Sequence, residues 1–156
     1  MFREMRRKRQ QLDQDECERI LRTAPRGVLS VLGEDGYPYG VPIDFLFDGE
    51  RIYFHGAREG HKIDAIAACD RACLTVLDEG VREEGEWWYT FRSVIAFGRV
   101  HVVEDEERRL RALRALGMRY IPTVEEMEAT MARSAARTAV LEMEIDHMTG
   151  KVVKEK

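Results

Sequence analysis

The chain of 156 residues has little cysteine and no long apolar stretch. Its three cysteines, Cys17, Cys69 and Cys73, form no C-x-x-C pair, which argues against a disulfide framework and against a zinc site. Cys69 and Cys73 lie near the end of an apolar-periodic segment, so we expect them to be core residues. No run approaches the roughly 20 apolar residues of a membrane helix, so a transmembrane protein is excluded. The basic residues after Met1 precede no apolar segment, and we therefore expect no secretory signal and a cytoplasmic location.

The common catalytic and nucleotide-binding motifs are also missing. The sequence contains no G-x-S-x-G, H-E-x-x-H, GxxxxGK[ST] or G-x-G-x-x-G after a predicted strand. The net charge of −4 and the lack of a known binding module favour a solvated basic arm at residues 1–11 over a nucleic-acid contact. The composition thus indicates one acidic domain over 12–150, with this arm before it and a C-terminal tail at 151–156.

Hydrophobic spacing predicts a mainly β domain with flanking helices. The order of elements lacks the alternation of a doubly wound sheet and favours an antiparallel barrel. Pro38 and Pro42 each remove a ladder donor, so the strand that carries them must be an edge strand, be bulged or leave one side free. Gly98 marks a bulge. Asp13 can cap the first helix, with Glu16 three residues later as in a capping box. The predicted strands are 28–32, 37–47, 51–55, 72–77, 87–103 and 138–145, and the predicted helices are 12–24, 63–70, 104–116 and 123–132.

The segment from His55 to Lys62 is a candidate phosphate site, formed by a predicted strand end, a loop and the start of a helix. The sequence from His55 through Gly56 and Gly60 to Lys62 places a glycine-containing loop before a helix N-terminus, where free N–H groups and the helix dipole favour an anion. Only five of the 25 basic residues are lysines, and Lys62 is the one lysine between positions 8 and 151. A surface lysine in water is the alternative. His55 and His61 lie too far from other ligands for a metal site, so we expect none.

Three segments then resemble a known family. Residues 39–45, 52–62 and 93–100, in this order and spacing, resemble the pyridoxamine 5′-phosphate oxidase-related flavoproteins, and most closely the nitroimidazole-resistance (nitroimidazole reductase-like) branch. The resemblance extends over about residues 12–147. It implies an antiparallel split β-barrel that forms a homodimer and binds FMN at the subunit interface.

The resemblance also implies which residues bind the cofactor. Val41, Pro42 and Ile43 are expected along the isoalloxazine ring, and Trp88 is expected to cover a ring from the partner chain. The residues expected to bind the phosphate are His55, Gly56, Ala57, Gly60, His61 and Lys62. A further set, Arg92, Ser93, Val94 and Ile95, is expected to approach from a long strand. No residue matches the substrate-phosphate set of true pyridoxamine phosphate oxidases.

The implied activity is flavin-dependent oxidoreduction of a small electron-poor acceptor with electrons from a nicotinamide cofactor. The flavin supplies the redox chemistry, so no acidic or basic side chain is required. Two alternatives remain open at this point. One is an F420-dependent reductase with the same fold, and the other is a non-catalytic flavin- or haem-binding protein with His55, His61 or His101 as axial ligand.

Overall fold

The computed structural model describes residues 2–154, which form one antiparallel sheet and four α-helices. Short 3₁₀ turns at Lys8–Gln10 and Ala135–Arg137 precede the first and last strands. The helices are α1 (Gln14–Thr23), α2 (His61–Ala68), α3 (Glu106–Tyr120) and α4 (Val124–Ser134). The strands are β1 (Gln11–Leu12), β2 (Gly27–Leu32), β3 (Pro38–Ile43), β4 (Phe45–Phe47), β5 (Arg51–Ala57), β6 (Arg71–Leu77), β7 (Thr90–Val102) and β8 (Thr138–Lys154).

The sheet curls into a split barrel. Its strand order is β3-β2-β6-β7-β8-β5-β4, with β1 paired to β8. The two outer strands of this order, β3 and β4, are separated in the chain by Asp44 alone. Because one residue cannot span a flat sheet, the two edges must approach each other. The predicted mainly β split barrel with flanking helices is therefore confirmed.

The interior of the barrel is filled by alternate residues of the strands and by one face of α1. Phe45, Phe54 and Leu74 are fully buried, and α1 contributes Ile20 and Leu21 to the same core. The predicted cap of α1 is present, since Asp13 Oδ1 accepts a hydrogen bond from the Glu16 N–H at 2.9 Å. A second, smaller core lies between the sheet and helices α3 and α4.

Of the three possibilities left open for the proline-bearing strand, the structure shows the edge strand, because β3 pairs with β2 and with no other strand of residues 2–154. The predicted bulge is also present, as the β7–β8 register shifts between Phe97 and Gly98. None of the helices in residues 2–154 is long and apolar enough to cross a membrane.

Three strand predictions need correction. The predicted strand 37–47 breaks at Asp44, because its halves belong to opposite edges of the curled sheet. The strand predicted from residue 87 begins at Thr90, since Trp87 and Trp88 lie in a bend. The last strand does not end at Ile145 but continues to Lys154, so residues 151–154 of the predicted tail pair with β7. Glu155 and Lys156 lie outside the described residues.

The cysteines also differ from expectation. All three are free thiols, and Cys17 is buried in the core. Cys69 and Cys73, expected to be core residues, are only partly buried. Cys73 lies on the outer face of β6, where alternation directs the side chain away from Leu74 and the core.

Candidate functional site

The side chain of Lys62 lies directly over Gly56. A Cβ atom built on Gly56 would be 2.7 Å from Lys62 Nζ and 3.4 Å from its Cε. A side chain at this point of β5 would therefore displace the ammonium group from its position. This contact joins two residues that the sequence places in the same phosphate loop.

Lys62 is half-buried and carries an uncompensated charge. Burial lowers the pKa of Lys62, and no carboxylate in residues 2–154 acts on that pKa. A buried cation without a counter-ion is costly, since the interior replaces its hydration poorly. An anion beside Nζ would remove this cost, and the arrangement therefore fits a bound phosphate.

The N-terminus of α2 adds hydrogen-bond donors at the same place. Gly60 occupies the N-cap with φ 115°, a left-handed value that favours glycine, and no side chain in the described residues caps the helix. The first N–H groups of an α-helix have no intrahelical partner. These groups and the positive end of the helix dipole therefore lie at the turn between β5 and α2.

A ring stack positions His61. The imidazole of His61 lies on the phenol ring of Tyr39, with ring centroids 4.3 Å apart and an interplanar angle of 11°. A Cβ atom on Gly33 would be 3.1 Å from His61 Nε2, so Gly33 makes room on another side. Tyr39 and Gly33 were not among the predicted site residues. Tyr39 stands in the segment that carries the family resemblance, but its contact with His61 joins distant parts of the chain.

The three residues predicted along the ring of the cofactor differ in exposure. Ile43 is buried in the barrel core, and Val41 packs against that core. Pro42 is exposed and lies opposite Val28 on the outer face of the sheet. Since β3 is an edge strand, its free backbone edge and Pro42 are available to a ligand, whereas the Val41 and Ile43 side chains are committed to packing.

His55 and Ala57 lie on the other face of β5 from Gly56. Both are exposed, and strand alternation turns their side chains away from the side on which Lys62 lies. The structure does not bring the His55 side chain to Lys62. It brings the Lys62 side chain to Gly56, and Gly60 and His61 directly precede Lys62 at the start of α2. We call Gly56, Gly60, His61 and Lys62 the Lys62 cluster.

Trp88 and Arg92 belong to a different cleft. They line a cavity of about 330 Å³ together with Val81 and Lys154. The guanidinium of Arg92 lies 3.1 Å from Glu16 and 3.5 Å from Asp78, so two carboxylates already compensate its charge. Trp87 is 75% exposed, and its ring meets Trp88 edge to face with centroids 5.7 Å apart.

The remaining predicted residues lie in the middle of the sheet. Val94 is fully buried in the core, while Ser93 and Ile95 are half-buried on the outer face of β7. Their backbone groups are in ladders with both β6 and β8. Only the side chains of Ser93 and Ile95 are therefore open to a ligand or partner.

The two groups of predicted residues lie at opposite ends of β8. Gly56 pairs with Ala139 near the start of this strand, and Arg92 pairs with Val152 near its end. Within one chain, the structure does not gather all the predicted residues into one pocket. It places the phosphate-type features in the Lys62 cluster and the aromatic side chain in the cleft of Trp88.

The comparison with protein families agrees with the fold and with the segments quoted above. Residues 13–152 match the family model described as pyridoxamine 5′-phosphate oxidase. The chain belongs to this family. The resemblance seen in the sequence is thereby confirmed over nearly the whole domain. None of the curated proteins matches the chain significantly.

Several solved structures share the family's architecture. The flavocytochrome Anf3 of Azotobacter vinelandii is 26% identical, with a TM-score of 0.80 over 97% of this chain and 73% of its own. The FAD and haem binding protein of Mycobacterium smegmatis is 26% identical, with a TM-score of 0.76 over 94% of this chain and 74% of its own. A protein of Bacteroides thetaiotaomicron, described as a 5-nitroimidazole antibiotic resistance protein, is 24% identical. Its TM-score is 0.77 over 91% of this chain and 86% of its own. This last likeness concerns the fold.

Proposed function

We propose that the protein is an FMN-dependent oxidoreductase whose Lys62 cluster binds the flavin phosphate. The observation that carries the proposal is the Lys62 ammonium over Gly56, half-buried and without a carboxylate partner among the described residues. Family membership and the flavin-binding names of two structural relatives support a flavin as the ligand. A single phosphate fits a cluster with one lysine and one helix N-terminus.

When bound, the flavin supplies the transfer of electrons from a nicotinamide cofactor to a small electron-poor acceptor. The chain's own residues would bind and orient it. Lys62 and the N-terminus of α2 would neutralise the phosphate, while Tyr39 holds His61 in place beside them. The free edge of β3 would offer backbone groups to the polar edge of the ring, and Pro42 would contact its face.

The proposal includes a homodimer with the flavin between the subunits. A row of small and apolar side chains crosses the outer face of the sheet from Pro42 through Val28, Thr75 and Ile95 to Thr149. Leu32 and Leu77 on the same face are 48% and 51% exposed. An apolar sheet face of this kind favours burial against a second copy. Such a copy could bring its Trp88 to the Lys62 cluster, which one chain alone does not do.

A non-catalytic flavin- and haem-binding protein is the second candidate. It is favoured by the names of the two 26%-identical relatives, a flavocytochrome and an FAD and haem binding protein. His55 is exposed and so accessible to an axial position, whereas His61 is stacked on Tyr39 and His101 lies 3.4 Å from the Glu142 carboxylate. A Soret band on reconstitution with haem, without nicotinamide oxidation, would favour this candidate.

Spectroscopy of the purified protein tests the first proposal. We expect the absorption bands of bound flavin, or their change on titration with FMN, and bleaching of those bands by NADH or NADPH without air. Titration with F420 in parallel separates the deazaflavin alternative. A colourless protein whose spectrum is indifferent to FMN would overturn the proposal. Sedimentation at several protein concentrations then tests whether flavin binding follows dimer formation.

A further inference from the structure

A second cleft lies on the outer face of the sheet, under α3. Its volume is about 240 Å³, and its apolar walls are formed by Leu46, Val103, Ala112 and Ala115. Its polar lining consists of Asp48, Tyr53, Arg108, Arg111 and Glu142. The two alanines of α3 leave this space open, because larger side chains at their positions would fill it. Neither the flavin proposal nor the Lys62 cluster uses any of these residues.

A buried ionic group stands at the inner wall of this cleft. The Glu142 side chain is only 2% exposed, and its Oε2 accepts a hydrogen bond from Arg108 Nη2 at 2.6 Å. Arg51 lies 3.7 Å and His101 3.4 Å from Glu142 Oε1. Glu142 is thus surrounded by donors, and it cannot readily serve a cationic ligand.

The neighbouring phenol adds to the same wall. Tyr53 lines the cleft and faces Glu142 across the β5–β8 pair. Burial first, and then the Glu142 and Asp48 carboxylates, raise the pKa of Tyr53. The phenol therefore stays protonated at neutral pH, and its single O–H is directed to the Glu142 carboxylate rather than to a ligand.

Arg108 is held in place by one hydrogen bond, and most of its N–H donors remain unused. Its Nη2 is fixed by Glu142, while in residues 2–154 no second acceptor is bonded to its guanidinium. A guanidinium has five N–H donors, so most of them remain for a ligand. Arg111 stands at the mouth of the cleft with a side chain that is 67% exposed, and it pairs there with Glu107.

We propose that this cleft binds a small apolar carboxylate, whose charged end contacts Arg108 and whose apolar body lies between α3 and the sheet. The two carboxylates of the cleft already accept hydrogen bonds, Glu142 from Arg108 and Asp48 from the Glu50 and Arg51 N–H groups. The remaining N–H donors of Arg108 therefore select an anionic or acceptor group. The volume of the cleft limits the apolar part of the ligand to about one ring. An enclosed cavity of about 150 Å³ holds benzene, and the 240 Å³ of this cleft leave room for one ring with a carboxylate. Glu142 is a positioning residue that fixes the guanidinium.

Titration with benzoate tests this site, followed by calorimetry or by chemical shifts of the protein. Benzoate should bind the unmodified protein, and toluene and benzylamine should bind far more weakly. Arg108→Gln keeps a donor for Glu142 but removes the charge, so benzoate affinity should fall by at least about tenfold. Ala115→Leu narrows the cleft at an exposed helix position and should also abolish binding.

Arg114→Gln is the matched control, since Arg114 is on the same helix but pairs with Glu128 away from the cleft. It should leave benzoate affinity unchanged. Absence of benzoate binding at millimolar concentration would overturn the proposal, as would binding that survives both Arg108→Gln and Ala115→Leu or a preference for benzylamine. The result is independent of the flavin proposal, because FMN titration of Ala115→Leu should match that of the unmodified protein.

Discussion

Lys62 and Gly56 form a matched pair in which the lysine ammonium occupies the space that any other side chain at position 56 would fill. The two residues come from the end of β5 and the first turn of α2, and the loop between them is short. This pairing defines the strongest candidate for an anion site in residues 2–154. It also makes the role of the glycine testable separately from that of the lysine.

Gly56→Ala should weaken FMN binding while leaving the fold intact. The backbone of Gly56 does not have a positive φ, so alanine is compatible with the strand, but its Cβ would displace Lys62 Nζ. We expect a loss of about 1–3 kcal/mol in FMN binding free energy, comparable to one charge-assisted hydrogen bond. Fluorescence titration measures it.

A double-mutant cycle supplies the control for that prediction. In a Lys62→Met background, Gly56→Ala should have little further effect on FMN affinity, because the displaced ammonium is already gone. Equal losses in both backgrounds would show that Gly56 acts without Lys62.

The unliganded protein should be destabilised by Lys62 at neutral pH. Burial places the folded-state pKa of Lys62 below its usual value of 10.5. Between these two values the unfolded chain binds more protons, so the free energy of unfolding rises with pH in that window. Lys62→Met should therefore be more stable than the unmodified protein at pH 7, and this advantage should shrink as the pH approaches 10.5.

Urea unfolding without flavin at several pH values measures this effect. Lys8→Met is the matched control, since the Lys8 side chain is 67% exposed. Its stability difference from the unmodified protein should stay nearly constant over the same pH range. A Lys62→Met difference that is equally flat would contradict the inferred burial of the ammonium.

Tyr39 should contribute to FMN affinity through His61. Tyr39→Leu removes the ring on which His61 is stacked, whereas Tyr39→Phe retains it. An aromatic pair contributes about 0.5–1.5 kcal/mol, so we expect Tyr39→Leu to weaken FMN binding severalfold and Tyr39→Phe to leave it unchanged. If both variants bound FMN as tightly as the unmodified protein, His61 would not need the stack.

Gly98→Ala should destabilise the barrel without touching the Lys62 cluster. An added Cβ would collide with the backbone carbonyl of Glu144 at the β7–β8 bulge. The Glu144 backbone is held in the sheet and cannot shift as easily as the end of a side chain. We therefore expect a loss of at least about 1–3 kcal/mol in the free energy of unfolding. A urea midpoint equal to that of the unmodified protein would mean that the bulge relaxes freely.

The sequence predicted the local features of this molecule better than the way in which the sheet curls into a barrel. The Asp13 cap, the Gly98 bulge and the loop from Gly56 to Lys62 depend on neighbouring residues, and all are present. The break at Asp44 follows from the curl of the whole sheet, which spacing alone does not encode. Likewise, the Tyr39 to His61 stack joins an edge strand to a distant helix.

The predicted set of cofactor residues divides for the same reason. The alternation of residues along a strand shows which face of the sheet each side chain occupies. It does not show with which part of β8 each neighbouring strand pairs. Arg92 and Lys62 therefore looked like parts of one site, while the register places Arg92 opposite Val152 and Gly56 opposite Ala139. The assignment of both groups to one flavin depends on a second chain and stays a prediction.

The most direct test of the central claim compares FMN with riboflavin, which lacks the phosphate, in the unmodified protein and in Lys62→Met. We predict that the unmodified protein prefers FMN by at least about tenfold, the effect of one charge-assisted contact. We also predict that Lys62→Met loses most of this preference while its riboflavin affinity changes little. Equal affinities for the two ligands in the unmodified protein, or a preference that Lys62→Met leaves intact, would contradict the assignment of the phosphate to Lys62.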